Sequence, residues 1–136
     1  MIRLMVTGDR NATDKDYSTV AGVLDQIHTD IGVGELIHGA CGYIDNQPGV
    51  YRGVDGLADR WAKEKQITVT PYPADWYGYG KSAGPLRNAT MVQTLPDLVV
   101  AFYGGKGTAD AVVKAKTAGI AVREFRRDGK GWMEIK

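Results

Sequence analysis

The sequence predicts an α/β fold of three layers, with a mainly parallel sheet and an antiparallel hairpin at its C-terminal edge. Three observations predict it. Two apolar runs, Ile2 to Val6 and Leu98 to Tyr103, show no polar alternation, the pattern of strands covered on both faces. Tyr17, Val20, Leu24, Ile27 and Ile31 repeat at helical spacing, and similar stretches alternate with strand-like runs along the chain. Near the end, Asp128-Gly129 separates two strand-like runs, a hairpin signal because that dipeptide suits a tight turn with φ > 0. The 136 residues are read as one domain, 1–136, long enough to enclose a core.

The elements follow in order. Ile2 to Val6 is the first strand, and Thr7 to Asn11 is a polar turn. A helix starts at Thr13, with Asp16 three residues on in capping-box position, and it ends at Gly32 and Gly34. Glu35 to His38 is a short strand that runs into the small-residue turn Gly39 to Gly42. Tyr43 to Arg52 carries Pro48, Gly49 and two tyrosines with little periodicity, which predicts a long loop. The second helix starts at Gly53-Val54-Asp55 and buries Leu57, Ala58, Trp61 and Ala62. Ile67 to Thr70 is the third strand, stopped by Pro71 and Pro73. Ala74 to Gly80 sets three aromatics beside two glycines, a composition suited either to the wall of a planar-ligand pocket or to a packed plug. Lys81 to Leu95 is the third helix, with Pro85 near its first turn and Leu86, Thr90, Met91 and Leu95 inward. Leu98 to Tyr103 is the central strand. Thr108 to Ala118 is the fourth helix, N-capped by Thr108, with Ala109, Val112 and Val113 inward and Lys114 and Lys116 in solvent. Ile120 to Phe125 and Trp132 to Ile135 complete the sheet, the basic cluster between them protecting its edge.

Composition narrows the function. Hydrophobic residues make up 43% and charged residues 24% of the chain, with a formal net charge of +1. Nothing in that balance calls for nucleic acid or a membrane surface, since phosphate-backbone affinity needs clustered Lys and Arg. A single cysteine, Cys41, permits no internal disulfide and fits a reducing compartment, so a cytoplasmic location is expected. No apolar run approaches the length of a transmembrane helix. His28 and His38 fall in separate elements without ligand spacing, so no metal site is expected. His38 with Cys41 offers a base and a thiol, but no third orienting group is placed by the sequence.

The chemistry concentrates in two turns. Gly104, Gly105 and Gly107 follow a buried strand and open a helix. Glycine amides approach a ligand closely, and a helix N-terminus presents free N–H groups and the positive end of the dipole to an anion. Neither established phosphate fingerprint fits: Lys106 is followed by Gly107 rather than Ser or Thr, and Asp110 stands where a dinucleotide fingerprint has its third glycine. In a doubly wound sheet the first and fourth strands are neighbours, and ligands bind beyond their carboxyl ends. That topology brings Thr7, Gly8, Asp9 and Arg10 beside Gly104, Gly105, Lys106, Gly107 and Thr108. Arg87 and Asn88, in the N-terminal half of their helix, reach toward the same place. Asp9 or Asp55 offers a carboxylate acceptor for a ligand there, and Trp76 or Tyr79 an aromatic face.

Gly84-Pro85-Leu86-Arg87-Asn88-Ala89-Thr90-Met91 carries a specific resemblance. Together with Val6 to Arg10, His38-Gly39, Gly53-Val54-Asp55, Ala74-Asp75-Trp76 and Gly104 to Thr108, it resembles the YspA/YpsA-related branch of the SLOG superfamily, from the first strand to about Phe125. The chain departs from that pattern by inserting Tyr43 to Arg52 between the His-Gly turn and the Gly-x-Asp helix start. The resemblance implies a SLOG-type Rossmann-like fold shared with Lonely Guy phosphoribohydrolases, molybdenum-cofactor carriers and the DNA-processing protein DprA. It implies a nucleotide or ADP-ribose-like ligand, sensed or sequestered as a nucleotide-derived signal. The ligand-binding residues it implies, with the reading above, are Thr7, Gly8, Asp9, Arg10, Gly39, Asp55, Trp76, Arg87, Asn88, Gly104, Gly105, Lys106, Gly107 and Thr108. No cofactor is required, magnesium entering only as a bridge to a ligand's phosphates, and a homo-oligomer is expected, with the insertion a candidate interface.

The alternative is a phosphoribohydrolase or related N-glycosidase. Lonely Guy enzymes pair an Arg motif with Gly-Gly-x-Gly-Thr-x-x-Glu. Arg87 and Met91 match the first; Gly104, Gly105, Gly107 and Thr108 match the second. Ala111 occupies the glutamate position, and an acid comes one residue early, at Asp110. One residue is about 100° of helix rotation, so catalysis by Arg87 and Asp110 requires Asp110 to reach the same site.

Overall fold

A computed structural model describes residues 1–42, 49–129 and 131–136. Most of the expected insertion, Tyr43 to Pro48, lies outside the described residues, as does Lys130.

Six strands form one sheet: β1 (Ile2–Gly8), β2 (Val33–His38), β3 (Thr68–Pro71), β4 (Leu98–Phe102), β5 (Ala121–Arg127) and β6 (Trp132–Ile135). Their order is β3-β2-β1-β4-β5-β6. All pairs are parallel except β5 with β6, where Arg127 faces Trp132 across the hairpin. The helices are α1 (Tyr17–Asp30), α2 (Gly53–Glu64), the single turn α3 (Trp76–Tyr79), α4 (Ala83–Gln93) and α5 (Lys106–Thr117).

Alternation along β1 divides the core. Leu4 and Val6 face α1 and α2, where Val20, Leu24, Ile27, Val54, Leu57 and Trp61 meet Leu36, Val100 and Phe102. Met5 faces the other way, with Ile37 and Val99 against Met91 and Val92 of α4 and Ala111 and Ala115 of α5. These are the two outer layers predicted from unalternating apolar strands. Trp61 is fully buried and its Nε1 donates to Asp25 at 2.8 Å, satisfying the polar atom of a large core side chain. His28 lies edge-on to the same indole and its Nδ1 accepts from Val33 N–H at 2.9 Å, so it holds the α1–β2 connection.

Several sequence expectations are corrected. Thr108 does not cap its helix: α5 begins two residues earlier, with Gly105 as N-cap. The buried stripe then runs Thr108, Ala111, Val112, Ala115, at spacings of three, one and three, and Val113 is 64% exposed. That stripe is turned by one residue, about 100°, from the Ala109, Val112, Val113 face the sequence suggests, and Ala109 lies outside. Likewise α4 buries Ala83, Gly84, Asn88, Met91 and Val92, while Leu86, Thr90 and Leu95 are exposed. Ile31 is exposed just past the end of α1. Pro71 belongs to β3, paired with His38; β3 is an edge strand, which tolerates a residue lacking N–H.

Arg127 is not simple edge protection. It reaches back from β5 to Asp9 at 3.2 Å and Asp16 at 3.0 Å, and its guanidinium lies 4.2 Å from the Trp132 ring centroid. The Arg127 hydrogen bond, aided by Thr13 N–H and Trp132, overcomes partial burial and lowers the Asp16 carboxyl to about 2. A folded-state value below the unfolded one contributes stability above about pH 4, lost as pH falls toward 2. Arg127→Ala is therefore expected to cost about 1–2 kcal/mol near neutrality, after allowance for solvent screening. Denaturant midpoints of variant and parent should converge as pH approaches 2; a constant difference across that range would show that the pair is not the cause.

Candidate functional site

Gly8 at the end of β1 pairs with Phe102 at the end of β4, so the two glycine-bearing turns leave the same edge of the sheet. Between them opens a cleft of about 350 Å³. Thr7 and Gly8 line it from β1, Arg10 from the turn after it, and Gly104, Gly105, Lys106, Gly107 and Thr108 from the loop and first turn of α5. Gly39 and Cys41 come from the turn after β2, Asp55 from α2, Trp76 from α3, and Arg87, Asn88 and Met91 from α4.

Close packing brings these pieces together. A Cβ at Gly8 would stand 2.7 Å from Val54 Cβ, and one at Gly104 would stand 2.3 Å from Asp9 Cβ; both positions admit only glycine without a shift. Trp76 lies over Gly84, where a Cβ would come within 3.1 Å of the indole. The ring is 58% exposed, so it stands at the cleft mouth with a surface to offer. The aromatic segment is thus one exposed helical turn, and Tyr77 and Tyr79 point away into solvent.

The first turn of α5 supplies amides without intrahelical partners. Asn88, 4% exposed, braces that turn: its Nδ2 donates to Gly107 O and to Asp110 Oδ2, each at 3.1 Å. Arg87 donates from Nε to Asn88 Oδ1 at 3.0 Å and from Nη1 to the Gly39 carbonyl. No carboxylate forms an ion pair with Arg10, Arg87 or Lys106 among the described residues. Three cationic side chains and a helix N-terminus therefore converge with little internal compensation, an arrangement that favours an anion.

The carboxylates sort differently from the sequence reading. Asp55 lines the cleft, 7% exposed, and its Oδ2 accepts from Cys41 N–H at 3.2 Å. Burial raises its carboxyl above the usual range, opposed by nearby His38 and Arg87. Asp9 does not line the cleft: Oδ1 accepts from Asn11 N–H at 2.8 Å and Oδ2 pairs with Arg127, so it holds the turn. Asp110 is also outside the lining, between Lys114 and Asn88. Asn11, Cys41 and Met91 are lining residues that sequence reasoning missed. Asn11 and Cys41 sit inside the two turns marked as polar or small, a signal available in the sequence; Met91 matches the Arg motif with Arg87 and is also core.

His38 has a structural task. It is fully buried, with Nε2 2.7 Å from Asp59 Oδ2, while Nδ1 accepts from Ala40 N–H at 2.9 Å. The proton on Nε2 thus points to Asp59. Burial pushes the Asp59 carboxyl up, but the bonds from His38 and Lys63 outweigh it and hold it low. Burial, then the Asp55 charge, push the Cys41 thiol up, the opposite of an activated nucleophile. Ala40 sits at φ +52, so this pair locks a strained turn that carries Gly39 and Cys41. Asp59→Ala, which orphans a buried imidazole N–H, is expected to lower stability by about 2–3 kcal/mol, read from urea denaturation; a loss under about 0.5 kcal/mol would remove the pair from that role.

Among the described residues no three His, Cys, Asp or Glu side chains gather at metal-binding distance, and no helix is long and apolar enough to cross a membrane.

Comparison with known proteins agrees with the fold and the motifs. The Gene 61 protein of Mycobacterium phage D29 is 37% identical over 133 residues, covering 92% of this chain and 97% of that protein. The solved structure of the molybdenum cofactor binding protein from the phototrophic bacterium Rippkaea orientalis aligns over 94% of this chain and 78% of its own, with a TM-score of 0.67 and 21% identity; that is a likeness of fold. The sequence model of the YspA, cpYpsA-related SLOG family matches residues 2–79, more than half of the chain, and with it the glycine turn after β1, the His-Gly turn and the Gly-x-Asp start of α2. The chain belongs to the YspA, cpYpsA-related SLOG family.

Proposed function

We propose that the protein binds a nucleotide or ADP-ribose-like ligand at the β1/β4 switch point, as a sensor or sequestering protein for a nucleotide-derived signal. One observation carries the reading: the α5 N-terminus and Arg10, Arg87 and Lys106, cations without an ion-pair partner among the described residues, surround a single cleft with Asp55 on its wall. The amides of Gly105, Gly107 and Thr108 would hold the phosphate, and Arg87 would add a charge-assisted bond. Asp55, not Asp9, would accept from the ribose, because Asp9 is engaged by Asn11 and Arg127. Trp76 would stack on the base. The structural neighbour that binds a molybdenum cofactor performs a small-molecule task on the same fold. A phosphorylated ligand would bring magnesium with it, if at all, as a bridge between its own phosphates.

Calorimetric titration with AMP, other nucleoside monophosphates and ADP-ribose tests the reading. Saturable heat with at least one is expected, and its absence with all of them would end it. The hydrolytic alternative has less support. Asp110 stands off the cleft, which leaves Asp55 as the carboxyl within it among the described residues. Release of free base from AMP during long incubation, abolished by Asp55→Asn, would favour cleavage over binding alone. A homo-oligomer is proposed on the resemblance to the superfamily; sedimentation velocity would decide it.

A further inference from the structure

One ion pair ties the far end of the chain to the wall of the cleft. The Asp9 carboxyl stands directly behind Gly104: a Cβ on that glycine would come within 2.4 Å of Asp9 Cγ and 2.6 Å of Oδ1. Gly104 lines the cleft, and the next residue, Gly105, is the N-cap of α5. A negative charge is thus fixed close behind the amides that would receive an anion. Asp9 is only 8% exposed, and a charge shielded from water acts more strongly at a distance than one in solvent.

The backbone gives Asp9 no room to retreat. Its N–H donates to Phe102 O at 2.8 Å, and its carbonyl accepts from Val54 N–H at 3.0 Å. Oδ1 accepts from Asn11 N–H. Oδ2 accepts from Arg127 Nη2 at 3.2 Å. The guanidinium is itself held in place. It donates to both oxygens of Asp16, at 3.0 and 3.1 Å, and lies over the ring of Trp132, its cross-strand neighbour in the β5–β6 hairpin. The hairpin therefore delivers a positive charge to the back of the cleft wall, although Arg127 does not itself line the cleft.

We propose that Arg127 is a positioning residue for anion binding that acts through Asp9: it cancels the carboxylate behind Gly104 and leaves the α5 N-terminus free to attract the ligand. The inference rests on the nucleotide reading above and adds a residue, from outside the cleft, that governs its charge. Without its counter-ion, the Asp9 carboxylate would repel a phosphate held at Gly105 and Gly107. It would also draw the positive end of the α5 dipole to itself. The effect is one of charge rather than shape, so a neutral side chain at position 9 removes it.

The test titrates AMP into the parent protein, Arg127→Gln, Arg127→Lys, Asp16→Asn and the double variant Asp9→Asn/Arg127→Gln, with inorganic phosphate as a second probe. Calorimetry gives the affinities, the Gly105 and Gly107 amide resonances locate the anion, and thermal melts confirm that each variant is folded. Arg127→Gln is expected to weaken AMP about tenfold, while Arg127→Lys, which keeps the charge, should lose less than about threefold. Asp16→Asn removes the other arm of the same cluster and should leave AMP affinity unchanged. Adding Asp9→Asn to Arg127→Gln should recover most of the loss, although it restores no ion pair. A loss that Asp9→Asn does not recover, or that Asp16→Asn shares, would overturn the proposal, because the hairpin would then act by holding shape. Unchanged affinity in Arg127→Gln would overturn it too. Phosphate binding without AMP binding would end the nucleotide reading alone; the same recovery by Asp9→Asn is then expected with phosphate, and its absence would overturn the role of Arg127. Binding of neither would overturn both.

Discussion

Arg87→Ala is expected to weaken binding of the phosphorylated ligand about 10- to 100-fold. That is the scale of a charge-assisted hydrogen bond to a phosphate, about 1.5–3 kcal/mol. The guanidinium has five N–H donors. Nε is used on Asn88 and one Nη1 donor on Gly39 O, so Nη2 keeps its donors for the ligand among the described residues. The internal bonds matter as much as the free ones, because they aim the group before the ligand arrives. Arg87→Lys should therefore rescue little: a single ammonium cannot hold Gly39 and Asn88 and still present a planar pair of donors. Gly39 O loses its side-chain donor in Arg87→Ala, so that variant should also melt slightly earlier. Calorimetry with AMP alongside thermal melts separates the two effects. Unchanged affinity in a folded Arg87→Ala protein would mean that the cleft does not hold the phosphate.

Gly53→Ala should be among the most damaging single methyl additions, at roughly 2–4 kcal/mol. Its φ of +65 lies where L side chains are strained. The new Cβ would stand 2.4 Å from Asp9 O and 2.5 Å from Arg10 Cα, and backbone cannot swing aside as a side chain does. The start of α2 would have to leave the β1 turn, separating Asp55 from Arg10. Gly105→Ala makes the contrast. Its backbone is extended at φ −177, and nothing lies within 4 Å of an added Cβ, so stability should change by less than about 1 kcal/mol. Binding should nevertheless fall, because the methyl stands beside the N-terminal amides of α5. Urea midpoints for both variants, with AMP titration of the second, check the pair of outcomes. A Gly53→Ala protein as stable as its parent would show that the turn and helix are not packed this tightly in solution.

Particular residues show how far the sequence could be read. Gly8, Gly104 and Gly107 are visible as turns from composition, and strand order follows from alternation with helices. Their convergence beside Arg87 was therefore within reach before any coordinates, and the cleft contains them together. Rotational phase was harder. The N-cap of α5 is Gly105 rather than the better intrinsic cap, Thr108, whose side chain belongs to the buried stripe of the helix; tertiary packing overrides cap preference. Leu86 and Val113 look like core in a one-dimensional pattern, yet both are exposed; α4 and α5 instead meet through Met91 with Ala111 and Ala115 and through the hydrogen bonds of Asn88 to Gly107 and Asp110.

Taken alone, the sequence determined the layers, the sheet's direction and the meeting of the two glycine turns in one cleft, since each depends on local periodicity and on chain connectivity. Only the tertiary structure decided which carboxylate faces that place. Asp9 is drawn off by Arg127 from the far end of the chain, Asp110 is held by Lys114 and Asn88, and Asp55 is left on the wall. The reason is physical: a carboxylate's role follows from the donors around it, and donors from distant segments meet it only once the chain has folded.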